Sequence, residues 1–269
     1  GDGKLLLVLA EDTNQTASIW DWRRGSMLVS LKATTQPVFC MRFNPHLCVP
    51  ESQAPDPDQV TYTLVSCGVR HLKFWTLYKE KEEEKGDRYT VAAQAASNRS
   101  DWKLEANVAS TGRATDHADI TCMAFILDSE GDTKIGVPPS GRIFTGTSNG
   151  AILVWIQLEE LADDLTAMYQ QGGMAPVPQI RWQAKGRLIT SVAAHDGPIY
   201  DITYLPDHLG GIMTTCGRDG RIMIWTVVAG KERKRTPLRL QQTVELSSTT
   251  AGLGPPRSLC WTKQSGGDD

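Results

Sequence analysis

The chain has 269 residues, 40% of them hydrophobic and 22% charged, with a formal net charge of −3. That length supports a large core, and the charge over the whole chain gives no nucleic-acid signal. No apolar run reaches the roughly 18 residues of a membrane span, and the opening GDGKLLLVLAED lacks the basic start and small-residue cleavage site of a signal peptide.

In chain order, the first predicted elements are three short strands, LLLVLAE, TASIWDW and MLVSLKAT. A second group follows: VFCMRF, TYTLVSCG, HLKFW and WKLEANVA. The third group is ITCMAFI, GRIFTGTSNG, AILVW and RLITSVAA. The fourth opens on PIYDITYL, passes through IMTTCG and RIMIWT, and closes on QQTVELSS; RSLCWT then starts a fifth. Each strand alternates or is wholly apolar, and Gly, Pro, Asn or Asp bounds it.

The groups repeat one pattern. Trp20, Trp75, Trp155 and Trp225 each end a third strand, at spacings of 55, 80 and 70 residues. Cys40 and Cys122 precede Met in first strands, and Cys67 and Cys216 sit in a Ser/Thr-Cys-Gly context closing second strands. A four-stranded repeat with a terminal Trp is the WD-repeat blade, for which about 40–45 residues is the minimal length. The expected fold is therefore all-β, a WD-repeat β-propeller with three complete blades and parts of two others. Residues 1–36 end blade one, 37–110 form blade two, 118–194 blade three and 198–248 blade four, and 256–263 open the next blade. A ring typically needs 4–8 blades, so the chain reads as a segment of a larger propeller whose remaining blades belong to the same longer polypeptide, or else as one completed by blades from elsewhere. The six cysteines (40, 48, 67, 122, 216 and 260) contain no CxxC pair and read as free thiols and small core residues.

Blade four carries the most complete polar pattern. His195 lies in the loop before the first strand, Thr215 on the second strand, Asp219 in the following turn, and Trp225 on the third strand. These types can form a buried chain from carboxylate to imidazole to hydroxyl to indole N–H, in which each bond contributes about 1 kcal/mol and an orphaned member costs more. Blade three offers His117, Thr145, Asn149 and Trp155; blade two offers Ser66 and Trp75, with Thr34 near the His position; blade one offers Asn14 and Trp20. This is a structural network, informative about fold rather than chemistry.

The excess length lies in insertions at 44–60, 78–101, 128–141, 157–182 and 229–237. By strand order, all five emerge on one propeller face, and loops carry function more often than scaffolds. Leu158, Leu161, Leu165 and Met168 repeat at helical spacing, predicting a short helix over 158–171. Lys231, Arg233, Lys234 and Arg235 form a basic loop suited to an acidic partner surface. KEKEEEKGDR reads as a solvated charge run.

Catalytic motifs are absent from the sequence: it has no Gly-rich phosphate loop, no GxSxG elbow and no HExxH helix. His46, His71 and His208 have no second ligand at metal spacing. Asp196 and Asp201 read as a turn cap and a channel-facing carboxylate rather than an acid–base pair. The expectation is no enzyme, no metal and no cofactor.

Three stretches carry a closer resemblance. DGKLLLVLAEDTNQTASIWDWRRG, LVSCGVRHLKFWTL and VAAHDGPIYDITYLP with CGRDGRIMIW resemble the echinoderm microtubule-associated protein-like family. The resemblance covers residues 3–77, 118–156 and 187–228. It implies a tandem pair of propellers and a non-catalytic scaffold bound to tubulin or microtubules in the cytoskeleton, with relatives in cilia and axonemes. The long loops depart from that family's compact blades. The other reading is a WD-repeat adaptor of another kind, such as a ubiquitin-ligase substrate receptor or a trafficking scaffold. Protein partners are expected, with neither nucleic acid nor membrane among them.

Overall fold

The computed structural model describes residues 3–49, 60–79, 102–109, 118–127, 141–161, 182–205, 211–228, 237–246 and 254–261. Among these residues the chain is all-β, with four antiparallel sheets that have the strand arrangement of WD-repeat propeller blades. Two compact units result: one comprises Gly1–Ser66, Leu72–Ala109 and Leu158–Lys185, the other Cys67–His71, Ser110–Gln157 and Gly186–Asp269.

In the first unit, β1 (Leu5–Leu9), β2 (Thr16–Asp21) and β3 (Ser26–Lys32) form a three-stranded sheet in chain order. Period-two alternation sends Leu5, Leu7, Leu9, Ala17 and Ile19 to one face. That face packs on Tyr62, Leu64, Trp75 and Leu77 of the second sheet, β4 (Val38–Val49), β5 (Thr61–Gly68), β6 (His71–Lys79) and β7 (Trp102–Val108). Strands β5 and β6 are buried along almost their whole length, whereas β7 alternates between half-buried and exposed residues as an edge strand does.

The second unit contains β8 (Ile120–Leu127), β9 (Gly141–Thr147) and the larger parts of β10 (Ala151–Leu161) and β11 (Trp182–Ala193), followed by β12 (Ile199–Leu205), β13 (Ile212–Gly217), β14 (Arg221–Val227) and β15 (Leu238–Glu245). Its core joins Phe144, Ile152 and Val154 of one sheet to Met213, Met223 and Trp225 of the next. The repeat extends to irregularities. The first strands β8 and β12 both skip one residue of register, between Ile120 and Cys122 and between Ile199 and Asp201. The β2–β3 and β14–β15 ladders both shift beside the Trp, at Ile19/Trp20 and Ile224/Trp225, and such bulges sharpen local twist.

Several boundaries differ from the expectations. Residues 158–161, placed at the start of a helix, instead complete β10. Ladder bonds to β11 outweigh a local 3.6-residue period that a short isolated helix cannot sustain; the rest of that stretch, 162–171, lies outside the described residues. Strand β4 runs on to Val49, into the loop expected from residue 44, and β15 begins at Leu238 rather than Gln241. Residues 256–261, expected to open a fifth blade as a strand, form no ladder with a described strand. Their polar groups are held instead by Asp201, whose Oδ2 accepts from the Leu259 amide at 2.9 Å and the Ser258 hydroxyl at 3.1 Å.

Candidate functional site

The polar chain of the last complete sheet lies where strand geometry puts it. Thr215 of β13 and Trp225 of β14 are on the same face, since Met213 pairs with Trp225 and Thr215 with Met223. The indole Nε1 reaches diagonally across two strands to Thr215 Oγ1 at 3.1 Å. Thr215 Oγ1 lies 2.8 Å from His195 Nε2, and His195 Nδ1 lies 2.9 Å from Asp219 Oδ1. Donor capacity fixes the direction, because an indole only donates and an ionised carboxylate only accepts. Trp225 N–H therefore donates to Thr215 and His195 Nδ1–H to Asp219, while the Thr215 hydroxyl and His195 Nε2 share the middle hydrogen bond.

Asp219 also organises its own turn. Its Oδ1 accepts from the Arg221 amide and its Oδ2 from the Asp196 amide, each at 3.1 Å. Burial alone would push the carboxyl's pKa up. The hydrogen bonds from His195, Arg221 and Asp196 outweigh burial and hold it below the ordinary carboxylate value. Two glycines make room for His195, Gly217 for its ring and Gly150 for its backbone. A Cβ on Gly217 would sit 2.6 Å from His195 Nδ1, and one on Gly150, whose φ is +87°, would sit 1.9 Å from the His195 carbonyl oxygen. The Gly150 carbonyl in turn accepts from the Ala194 and His195 amides. Arg221 extends the network outward to Asp196 at 3.2 Å and Glu245 at 3.5 Å.

Other sheets hold shorter versions. Trp155 donates to Thr145 at 3.0 Å and Trp75 to Ser66 at 2.9 Å. Asn149 Oδ1 accepts from Thr147 at 2.6 Å and braces its own turn. Thr34 likewise closes a local turn by accepting from the Gln36 amide. His117 lies outside the described residues. Trp20 departs from the pattern: its indole donates to Ser18 on its own strand at 3.0 Å. The cause lies on β1. There Leu6 and Val8 face Trp20 and Ser18, so the position equivalent to Thr215 is Val8, which has no hydroxyl.

In the first sheet Asp12, rather than Asn14, organises the hairpin turn. Its Oδ1 accepts from the Asn14 and Thr16 amides and its Oδ2 from the Thr16 hydroxyl. An Asp two residues before a turn Asn is an Asx-turn signal legible in the sequence, though it falls outside the repeat positions. Asp201 was expected to face a channel, and it ties β12 to residues 258–259 instead.

The cysteines are free thiols at 40, 67, 122, 216 and 260, and Cys67, Cys122 and Cys216 are buried. Burial pushes Cys122 up to about 12 and, with the Asp201 charge adding to it, Cys216 up to about 11. Such thiols are inert core residues. Among the described residues no three His, Cys, Asp or Glu side chains converge as a metal ion requires. The basic group Lys231, Arg233, Lys234 and Arg235 lies outside the described residues.

Comparison with known proteins places this geometry. Residues 186–226 match the WD domain, G-beta repeat. That span contains His195, Thr215, Asp219 and Trp225. The chain is 23% identical over 236 residues to the mouse echinoderm microtubule-associated protein-like 4, covering 87% of this chain and 17% of that protein. It is 22% identical over 235 residues to the Xenopus tropicalis protein of the same name, covering 87% of this chain and 19% of the relative. It is 25% identical over 224 residues to the human echinoderm microtubule-associated protein-like 2, covering 83% of this chain and 23% of that protein. The chain thus spans about a fifth of the length of the curated relatives it matches.

Proposed function

We propose that the chain is a non-catalytic protein-interaction scaffold that associates with microtubules. The observation carrying this reading is the extent of the similarity. It covers at least 83% of the chain, well beyond the 186–226 repeat. The polar residues that elsewhere would invite a catalytic reading support it too. His195, Thr215 and Trp225 are buried, so their hydrogen-bonded chain presents no group to a substrate in solvent.

In mechanism, the sheets provide rigidity and the inserted loops provide recognition. The basic loop Lys231, Arg233, Lys234 and Arg235 is the proposed contact with the acidic surface of tubulin, and its attraction weakens as salt screens it. The proposed location is the cytoskeleton, including the axoneme of cilia. Co-sedimentation with polymerised tubulin tests this reading. The chain should pellet with microtubules at low salt, and neutralising the four basic residues should reduce pelleting about tenfold. No pelleting at any salt concentration would favour the WD-repeat adaptor reading instead.

A further inference from the structure

The turn between β2 and β3 carries a charge pattern that lies outside the indole network. Arg23, Arg24, Gly25, Ser26 and Met27 follow one another there, and Arg23-Arg24 is the one pair of adjacent arginines in the sequence. Every residue from Trp22 to Met27 is exposed. Ser26 thus presents a hydroxyl with guanidinium groups three and two residues before it and an apolar side chain after it.

The exposure of Ser26 belongs to the turn itself. Leu5 stands opposite Asp21, and Asp21 opposite Ser26, in one cross-strand row. That row lies on the face of the sheet that the second sheet covers, and Ser26 at its end remains exposed. Asp21 holds the turn in shape. Its side chain is 19% exposed, and its Oδ1 accepts from the Arg23 amide at 3.1 Å and the Arg24 amide at 3.0 Å. These bonds fix the backbone and leave both guanidinium groups outside. Arg24, 83% exposed, lies with Nε 3.5 Å from Asp21 Oδ2, and the Arg23 guanidinium lies 5.5 Å over the Trp22 ring. Exposed contacts of both kinds are weak and exchange readily for the carboxylates of another protein. Gly25 has a φ of +66° and open space where a Cβ would stand, so the backbone before Ser26 is approachable. Among the described residues β3 ladders with β2 alone. Opening its first pair, Asp21–Ser26, therefore leaves the β1–β2 ladder intact.

We propose that Ser26 is a phosphorylation site for a protein kinase whose substrate groove holds carboxylates for Arg23 and Arg24. Kinases of that kind select substrates by charge pattern, and a carboxylate holds a guanidinium bidentately. The phosphoryl donor is magnesium-bound ATP. Ser26 Oγ attacks the γ-phosphorus; the new O–P bond forms as the bond to the β-phosphate oxygen breaks. ADP leaves, and the hydroxyl proton passes to the kinase's catalytic aspartate. The product carries a charge of about −1.5 to −2 opposite Asp21. Like charges across a strand pair repel, so Arg24 is drawn from Asp21 toward the phosphate, and the cationic tip is neutralised. The assignment rests on this hairpin and not on microtubule association.

The test incubates the purified chain with ATP, magnesium and the catalytic subunit of a cyclic-nucleotide-dependent protein kinase, which has this charge preference. Mass spectrometry of the peptides locates the phosphate. Ser26 should be modified, at a rate comparable to that of a synthetic peptide of residues 19–30. Ser26→Ala should abolish modification of that peptide segment, and Arg23→Gln and Arg24→Gln should each slow it about tenfold or more. All three positions are exposed and Asp21 binds backbone amides there, so circular dichroism should report unchanged folding. A chain left unmodified at Ser26 while the synthetic peptide reacts would overturn the proposal. So would phosphate found only elsewhere, as on Thr190 or Thr236, or modification of Ser26 that neither arginine substitution slows.

Discussion

Thr215→Val separates the polar network from simple packing. Valine keeps the volume of threonine but removes the hydroxyl that joins His195 Nε2 to Trp225 Nε1. All three side chains are buried, with Thr215 at 0% exposure. In this buried site two polar groups are orphaned together, each at about 1–3 kcal/mol. The added methyl recovers part of that through apolar burial, about 1 kcal/mol. The expected net loss is about 2–4 kcal/mol. At about 2–4 °C per kcal/mol for a chain of this size, Tm should fall by about 4–16 °C. Thr215→Ser is the control: it keeps both hydrogen bonds and loses one methyl, for about 1 kcal/mol. Parallel thermal melts of the three proteins followed by circular dichroism provide the measurement. If Thr215→Val melts at or above Thr215→Ser, shape rather than hydrogen bonding holds the site, and the reasoning fails.

Other consequences follow from individual residues. Gly150→Ala should cost about 3–4 kcal/mol, because the new Cβ meets the His195 carbonyl at a φ of +87°. Gly25→Ala should cost only about 1–2 kcal/mol, because its φ of +66° opens onto empty space; urea midpoints compare the two. Because the Asp219 carboxyl lies below its ordinary value, the folded state binds fewer protons than the unfolded chain near pH 4. Its stabilisation is therefore complete above about pH 4 and lost as pH falls through the folded pKa, so Asp219→Asn should flatten the urea midpoint's dependence on pH over that acid range. Cys260 is exposed and should react with a maleimide in the native protein, whereas Cys122 and Cys216 should react only after unfolding; mass spectrometry of labelled peptides distinguishes these outcomes.

Local sequence by itself determined the strands and most of the indole network. Alternating apolar residues fix which face of a strand is buried. Turn residues such as Asp219-Gly220 fix where one strand gives way to the next, and the recurring Trp fixes the register of the repeat. Those signals act within a few residues, so one sequence displays them. The similarity to microtubule-associated relatives was legible for the same reason, in stretches such as Ser66 to Thr76 and Ala194 to Trp225.

Tertiary structure decided what depends on distant partners. Leu158 and Leu161 carry a helical period, yet the ladder with β11 keeps them extended, and no local pattern reports a hydrogen-bond partner more than twenty residues away. Trp20 looked equivalent to the other three tryptophans until the strand opposite it proved to offer Val8 in place of a hydroxyl. Asp201 was expected to face a channel, and it holds Ser258 and Leu259, because which backbone comes to rest beside a carboxylate is settled by the folding of the whole unit.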